Sequence, residues 1–111
     1  MNYKFYDTTA LIREKSKDEN SYIIVSSLTA EALKDNKKAM SLVDEVYPYT
    51  KSMFRPFIRR GVCDSLYANL VAAFDYDYRQ HPDETIFVTA DARVRDMAHC
   101  FFGEDSIIYI K

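Results

Sequence analysis

Short β-rich apolar runs alternate along this chain with longer segments of helical periodicity. Tyr22–Ser26 has an uninterrupted apolar centre, typical of a strand buried on both faces. Residues 3–6, Thr85–Thr89 and Ser106–Ile110 have the β-rich composition of further strands. Strands that alternate with helices indicate βαβ units. The sequence therefore predicts an α/β fold of three layers, α/β/α, around a mostly parallel sheet of four to five strands.

The segments between these runs predict the helices. One helix is expected from Thr8 to about residue 15, and another after Ser27 as its N-cap residue. A long helix is expected over Phe57–Tyr78, and Asp91 opens the last one. Two apolar stripes support the middle helices. They are Leu33, Met40, Val43 and Tyr47 in the first, and Tyr67, Leu70, Val71, Phe74 and Tyr78 in the second.

Length and charge limit the classes of function. The 111 residues predict a single domain, 1–111. The net charge of -2 argues against a protein that holds nucleic acid by bulk positive charge. No apolar run approaches the ~18 residues of a membrane span, and no signal peptide is visible, so we expect a cytoplasmic protein with no membrane contact. Four basic residues without an intervening acid are candidate phosphate contacts: Lys51, Arg55, Arg59 and Arg60.

Four acidic residues are the candidate site. Asp7 and Asp91 directly follow β-rich runs, Glu31 lies a few residues beyond a third run, and Asp64 lies on the inward stripe of the long helix. Each acid alone has a structural explanation, because an acid caps or stabilises the start of a helix. The carboxyl ends of parallel strands, however, meet in one crevice where ligands bind. The four positions together therefore favour a shared site.

Several carboxylates in one crevice repel each other, and a divalent cation relieves that repulsion. Ligands that are all oxygen atoms suit Mg²⁺ or Mn²⁺ and not zinc. The acids therefore predict a magnesium or manganese site.

Four segments resemble the PIN domain, a family of small metal-dependent ribonucleases that includes the toxins of many toxin–antitoxin pairs. They are D-T-T-A-L-I, S-S-L-T-A-E-A-L, D-S-L-Y-A-N-L-V-A-A and F-V-T-A-D, and they cover nearly the whole chain. The resemblance implies an RNA substrate and leaves an antitoxin partner and a homodimer open. It implies that the four acids bind metal and act in catalysis, namely Asp7, Glu31, Asp64 and Asp91, with Thr9 and Thr89 as supporting hydroxyls.

Two departures from the family pattern shape these expectations. Arg93 stands where many relatives carry a further acid, so one well-formed metal site is expected and a second ion stays open. The segment between Glu31 and Asp64 is short, and its Pro48 permits only an edge strand. Both departures leave an alternative open, a catalytically inactive PIN-like module that binds RNA or a protein partner. A phospho-receiver domain is disfavoured, because Asp7 has no acidic neighbour after the first strand.

Overall fold

A parallel sheet of five strands forms the centre of the computed structural model, which describes residues 1–58 and 65–111. The strands are β1 (Asn2–Tyr6), β2 (Ser21–Ser26), β3 (Glu45–Tyr47), β4 (Thr85–Thr89) and β5 (Ile107–Tyr109). Their order across the sheet is β3-β2-β1-β4-β5, and every pairing is parallel. The predicted α/β class with a parallel sheet is confirmed.

The helices are short, except for one of twelve residues. They are α1 (Thr8–Leu11), α2 (Ser27–Ala32), α3 (Lys37–Met40), α4 (Arg55–Ile58), α5 (Ala68–Arg79) and α6 (Ala92–Ala98). Single 3₁₀ turns occupy Lys51–Phe54, Ser65–Tyr67 and Glu104–Ser106. Among the described residues, no helix has the length and apolar character needed to cross a membrane.

Alternate strand residues face the two sides of the sheet, and each side has its own core. Phe5, Ile24 and Phe87 pack against α5 and α6 in one cluster. Tyr6, Ile23, Val25 and Val88 pack against α1 and α3 in another. Helices therefore cover both faces, which explains why the strands are nearly continuous runs of apolar residues.

The strand order changes direction between β1 and β4. From β1 the chain moves outward to β2 and β3, then returns to the other side of β1 for β4 and β5. The register pairs Tyr6 with Val88, so the residues that follow the two strands emerge side by side. In parallel α/β sheets, the crevice at such a switch point is the usual ligand site.

Several helix predictions need correction. The first helix is shorter than expected and ends at Leu11. The segment after β2 is not one helix, because Asn36 caps a separate α3 by accepting a hydrogen bond from the Ala39 amide at 3.0 Å. Tyr47 lies in β3 at the edge of the sheet, and Pro48 follows that strand without interrupting it.

The predicted helix over residues 57–78 is also wrong in part. The described residues place its first residues in α4 and its last ones in α5, which begins only at Ala68. Leu70 and Val71 are buried as expected, but Tyr78 is 74% exposed. Tyr76 is fully buried in its place, two residues earlier, so the inward face of α5 is rotated from the expected stripe.

Candidate metal site at the switch point

Asp7 is a buried acid at the carboxyl edge of the sheet. It follows β1 directly, is 4% exposed, and caps α1 by accepting a hydrogen bond from the Ala10 amide at 2.9 Å. Thr9 donates its hydroxyl proton to Oδ1 of Asp7 at 2.7 Å, and Thr89 donates to Oδ2 at 2.5 Å. Three donors thus fix both carboxylate oxygens in one orientation.

The two threonines also join Asp7 to the turn after β4. The Thr9 hydroxyl accepts a hydrogen bond from the Ala90 amide, and the Thr89 hydroxyl accepts one from the Asp91 amide, both at 3.1 Å. Since each hydroxyl accepts from this turn and donates to Asp7, the two strand ends are held in a fixed relation. Thr9 and Thr89 therefore orient the Asp7 carboxylate and join it to the turn after β4.

Asp91 lies beside Asp7 in a different environment. Its side chain is 17% exposed and caps α6, where Oδ1 accepts hydrogen bonds from the amides of Arg93 at 2.8 Å and Val94 at 3.3 Å. The Arg93 guanidinium donates to Oδ2 at 3.1 Å. Asp91 therefore begins the last helix, as predicted. It also forms an ion pair with Arg93 of that same helix.

The pKa values of Asp7 and Asp91 shift in opposite directions. Burial raises the pKa of Asp7, and the nearby charge of Asp91 adds to that rise, while the hydrogen bonds from Thr89, Thr9 and the Ala10 amide oppose it. The Arg93 side chain and the two helix amides lower the pKa of Asp91, against a smaller opposing effect of burial. Asp7 is therefore the carboxylate that gains most from a cation.

Glu31 does not join these acids. Its side chain is 76% exposed and pairs with Lys34 at 3.0 Å. Thr29, two residues earlier on α2, is the residue that faces inward and is fully buried. Two residues rotate a helix by about 200°, so Thr29 and Glu31 point to nearly opposite sides. The prediction that Glu31 contributes to the site is not supported by this placement.

Asp64 lies outside the described residues, as do Arg59 and Arg60. Lys51 and Arg55 are described, and both side chains are exposed. Within residues 1–58 and 65–111, no group of three or more acidic, histidine or cysteine side chains is arranged to hold a metal. The described part of the site is a pair of acids.

A second polar cluster next to Asp7 was missed from the sequence. The amide oxygen of Asn69, in the first turn of α5, accepts hydrogen bonds from Ser26 Oγ at 2.5 Å and Thr29 Oγ1 at 3.2 Å. Thr29 also shares a hydrogen bond of 2.8 Å with Thr8, the neighbour of Asp7. Ser26 ends a buried strand at the same sheet edge as Asp7, and this signal could have identified it.

The chemistry of the donor set fits a hard cation. The site offers two carboxylates and several hydroxyl oxygens, and Mg²⁺ is commonly held by one or two carboxylates together with water and substrate phosphate. Asp7 would hold the cation with the remaining lone pair of Oδ2, and Asp91 would do so where Oδ2 now contacts Arg93. One ion fits this pair better than two.

An apolar cavity of about 610 Å³ lies elsewhere. Its walls come from the segment after β3, from α4 and from the last turns of α5, and they include Met53, Phe57 and Phe74. Neither Asp7 nor Asp91 lines it. The cavity therefore adds nothing to the acid pair.

No protein-family model, curated protein or solved structure matches this chain.

Proposed function

We propose that this protein hydrolyses RNA phosphodiester bonds with one Mg²⁺ or Mn²⁺ ion held by Asp7 and Asp91, as a PIN-like ribonuclease. The observation that carries the proposal is the buried Asp7 at the switch point, fixed by Thr9 and Thr89. A buried acid with a raised pKa, placed where α/β sheets bind ligands, is a functional-site candidate. The resemblance of the surrounding segments to the PIN family supplies RNA as the substrate.

The residues of the chain have distinct tasks in this mechanism. A bound divalent ion supplies Lewis-acid stabilisation of the phosphate and a water of lowered pKa. Thr9 and Thr89 hold the Asp7 carboxylate in place before the substrate arrives, which removes the cost of orienting it later. Arg93 competes with the cation for Oδ2 of Asp91, so it weakens metal binding at this acid.

RNA cleavage in Mn²⁺ tests the proposal. We expect the wild type to cleave, and Asp7→Asn and Asp91→Asn each to lose at least about 100-fold in rate, as metal-site residues do. Asp96→Asn is the matched control, because Asp96 is an exposed acid on α6 that pairs with Arg95. Equal activity in all four proteins would identify a contaminating nuclease and overturn the proposal.

A second candidate is a PIN-like module that binds RNA or a protein partner without cutting. The ion pair between Arg93 and Asp91 and the outward direction of Glu31 favour it. The Arg93→Gln variant separates the candidates, with Arg95→Gln as its control. A nuclease should bind Mn²⁺ more tightly once Arg93 is removed, whereas a module without a metal site should show no Mn²⁺ binding in either variant. Calorimetric titration with Mn²⁺ measures this difference directly.

The predicted partners and location stay predictions. An antitoxin and a homodimer follow from the family resemblance alone. A cytoplasmic location is likewise an expectation that fractionation of the host cells would test. Co-purification of the tagged protein from its native host, followed by size-exclusion chromatography, would test the partner and the oligomeric state together.

A further inference from the structure

A basic cavity of about 450 Å³ lies between the segments that follow α1 and β5 and the start of α3. Its lining includes four cationic side chains, which are Arg13, Lys15, Lys38 and Lys111. The sequence does not reveal this group, because its members are spread over about a hundred positions of the chain and meet only in the fold.

The four cations leave this cavity with excess positive charge. None of them forms an ion pair with the described residues, whereas Lys17, Lys34, Arg79 and Arg95 each pair with an acid. Glu14 is the acidic residue in the lining. Its two carboxylate oxygens accept hydrogen bonds from the Tyr6 hydroxyl at 2.8 Å and from its neighbour's amide at 3.2 Å. One acid thus faces four cations.

One wall of the cavity continues the segment that carries Asp7, and another is hydrogen-bonded to Thr89. Asp7 caps α1, and the lining residues at positions 12–15 follow that helix directly. On the other side, the Ile110 amide donates to the carbonyl oxygen of Thr89 at 2.9 Å, and the hydroxyl of Thr89 holds Asp7. Part of the cavity lining, Ile110 and Lys111, therefore follows β5 at the carboxyl edge of the sheet, the edge that carries the acid pair.

We propose that this cavity binds the phosphate backbone of the RNA strand on one side of the cleavage point. The inference rests on the proposed ribonuclease function and names the substrate contacts of that site. Unpaired Lys and Arg side chains bind nucleic acid by replacing the counterions of its phosphates. Contacts of this type position a strand without reading its bases. The acids would then meet a strand already held by its backbone.

The predicted phosphate contacts Lys51, Arg55, Arg59 and Arg60 provide the comparison for this cavity, although the last two lie outside the described residues. Lys51 and Arg55 are exposed and lie on the 3₁₀ turn and on α4, which carry no residue of the acid pair. Arg13 and Lys38, in contrast, line a cavity that includes Ile110, whose amide donates to the carbonyl oxygen of Thr89. The two pairs of cations allow a matched comparison, because reversing either pair changes the net charge equally.

The test measures binding of a labelled single-stranded RNA in EDTA by fluorescence anisotropy. The variant Arg13→Glu/Lys38→Glu is compared with Lys51→Glu/Arg55→Glu. We expect at least about a tenfold loss of affinity in the first and less than about a twofold loss in the second. The slope of log K against log salt should fall by about 1.4 in the first variant, since each phosphate contact on a single strand contributes about 0.7.

The variant Lys15→Glu/Lys111→Glu repeats the test on the other two cations if the first variant is unstable. All of these side chains are exposed, so unchanged melting temperatures are expected and show that the fold is intact. Equal losses in the cavity variant and in the Lys51/Arg55 variant would overturn the proposal. So would displacement of RNA by poly-glutamate of equal charge, which would identify an acidic polypeptide as the ligand.

Cleavage in Mn²⁺ distinguishes failure of this inference from failure of the proposed function. If the wild type cleaves RNA and Arg13→Glu/Lys38→Glu leaves KM unchanged, the cavity is not the substrate contact but the nuclease stands. If the wild type does not cleave but the cavity variant loses RNA binding, the nuclease proposal fails and the binding cavity stands. If both inferences hold, the variant raises KM with little change in kcat.

Discussion

Asp7 and Asp91 follow neighbouring strands and lie side by side, yet the protein treats them differently. Asp7 is enclosed by two threonine hydroxyls and a helix amide, and its burial raises its pKa. Asp91 lies nearer the surface, and Arg93 lowers its pKa. The comparison shows one acid that is rigid and costly to ionise, and one whose charge is already compensated.

This difference assigns separate roles within the proposed metal site. A rigid acid with uncompensated charge provides a fixed attachment point for a cation, since the cation itself supplies the missing positive charge. A compensated acid must release its arginine before it can bind. We therefore expect Asp7 to dominate metal affinity and Asp91 to tune it, and the following changes test that contrast in order of effect.

Asp7→Ala should be the most damaging substitution for stability. It leaves the hydroxyl protons of Thr9 and Thr89 and the Ala10 amide without their acceptor in a buried place, which should cost about 3 kcal/mol. Asp7→Asn keeps one acceptor oxygen and should cost much less. Urea unfolding measures both. A cost for Asp7→Ala no greater than for Asp7→Asn would contradict the proposed role of the hydrogen bonds.

Thr89→Val should cost about 2 kcal/mol, since it removes the donor to Asp7 and the acceptor for the Asp91 amide together. Ser21→Ala is the control at the start of β2. Ser21 is also buried, but its hydroxyl has no hydrogen-bond partner among the described residues. The melting temperatures of the two variants should differ clearly, and equal losses of stability would contradict the proposed link between Asp7 and Asp91.

Asp91→Ala should cost about 1 kcal/mol, the usual loss when a helix N-cap side chain is removed. Asp96→Ala, on the same helix, should change stability by less than about 0.5 kcal/mol, because its ion pair with Arg95 is exposed. Chemical denaturation compares them. An Asp91→Ala cost close to that of Asp7→Ala would remove the distinction between the two acids.

The pH dependence of stability should have opposite signs for the two acids. The raised pKa of Asp7 gives a stabilising contribution that is complete below the usual Asp value near 3.8 and is lost as pH rises through the raised value. The lowered pKa of Asp91 gives a contribution present above that usual value and lost as pH falls. Relative to wild type, Asp7→Asn should therefore gain stability with rising pH, and Asp91→Asn should lose it. Denaturant unfolding from acid to neutral pH tests the signs, and parallel curves would refute them.

Part of this fold and site follows from local sequence. Thr85–Thr89 is found as the strand that its composition predicts, because an apolar run between polar segments leaves few alternatives. Asp7 and Asp91 follow from their places after such runs, and both prove to be helix caps at one sheet edge. These features depend on short stretches of chain and on the general rule for parallel strands.

The features that were missed depend on rotation and on distant contacts. Ser26, and not Ser27, caps α2, and local sequence offers no choice between two adjacent serines. Packing against the sheet also turns the side chain of Thr29 inward and leaves that of Glu31 exposed, and the local sequence does not show which of the two faces the core. Asn69 joins Ser26 across 43 positions of the chain, which no local pattern encodes. The basic cavity was hidden for the same reason.

The hydrogen bond between Asp7 and Thr89 joins residues 82 positions apart. A ribosome making this chain releases β1 early, but the partner strand β4 and the turn that bears Asp91 appear only after most of the remaining sequence. Until then, one edge of β1 has no neighbour, and Oδ2 of Asp7 lacks the hydroxyl donor of Thr89. The nascent chain therefore cannot assemble the site, and any activity there must wait until β4 has emerged and joined the sheet.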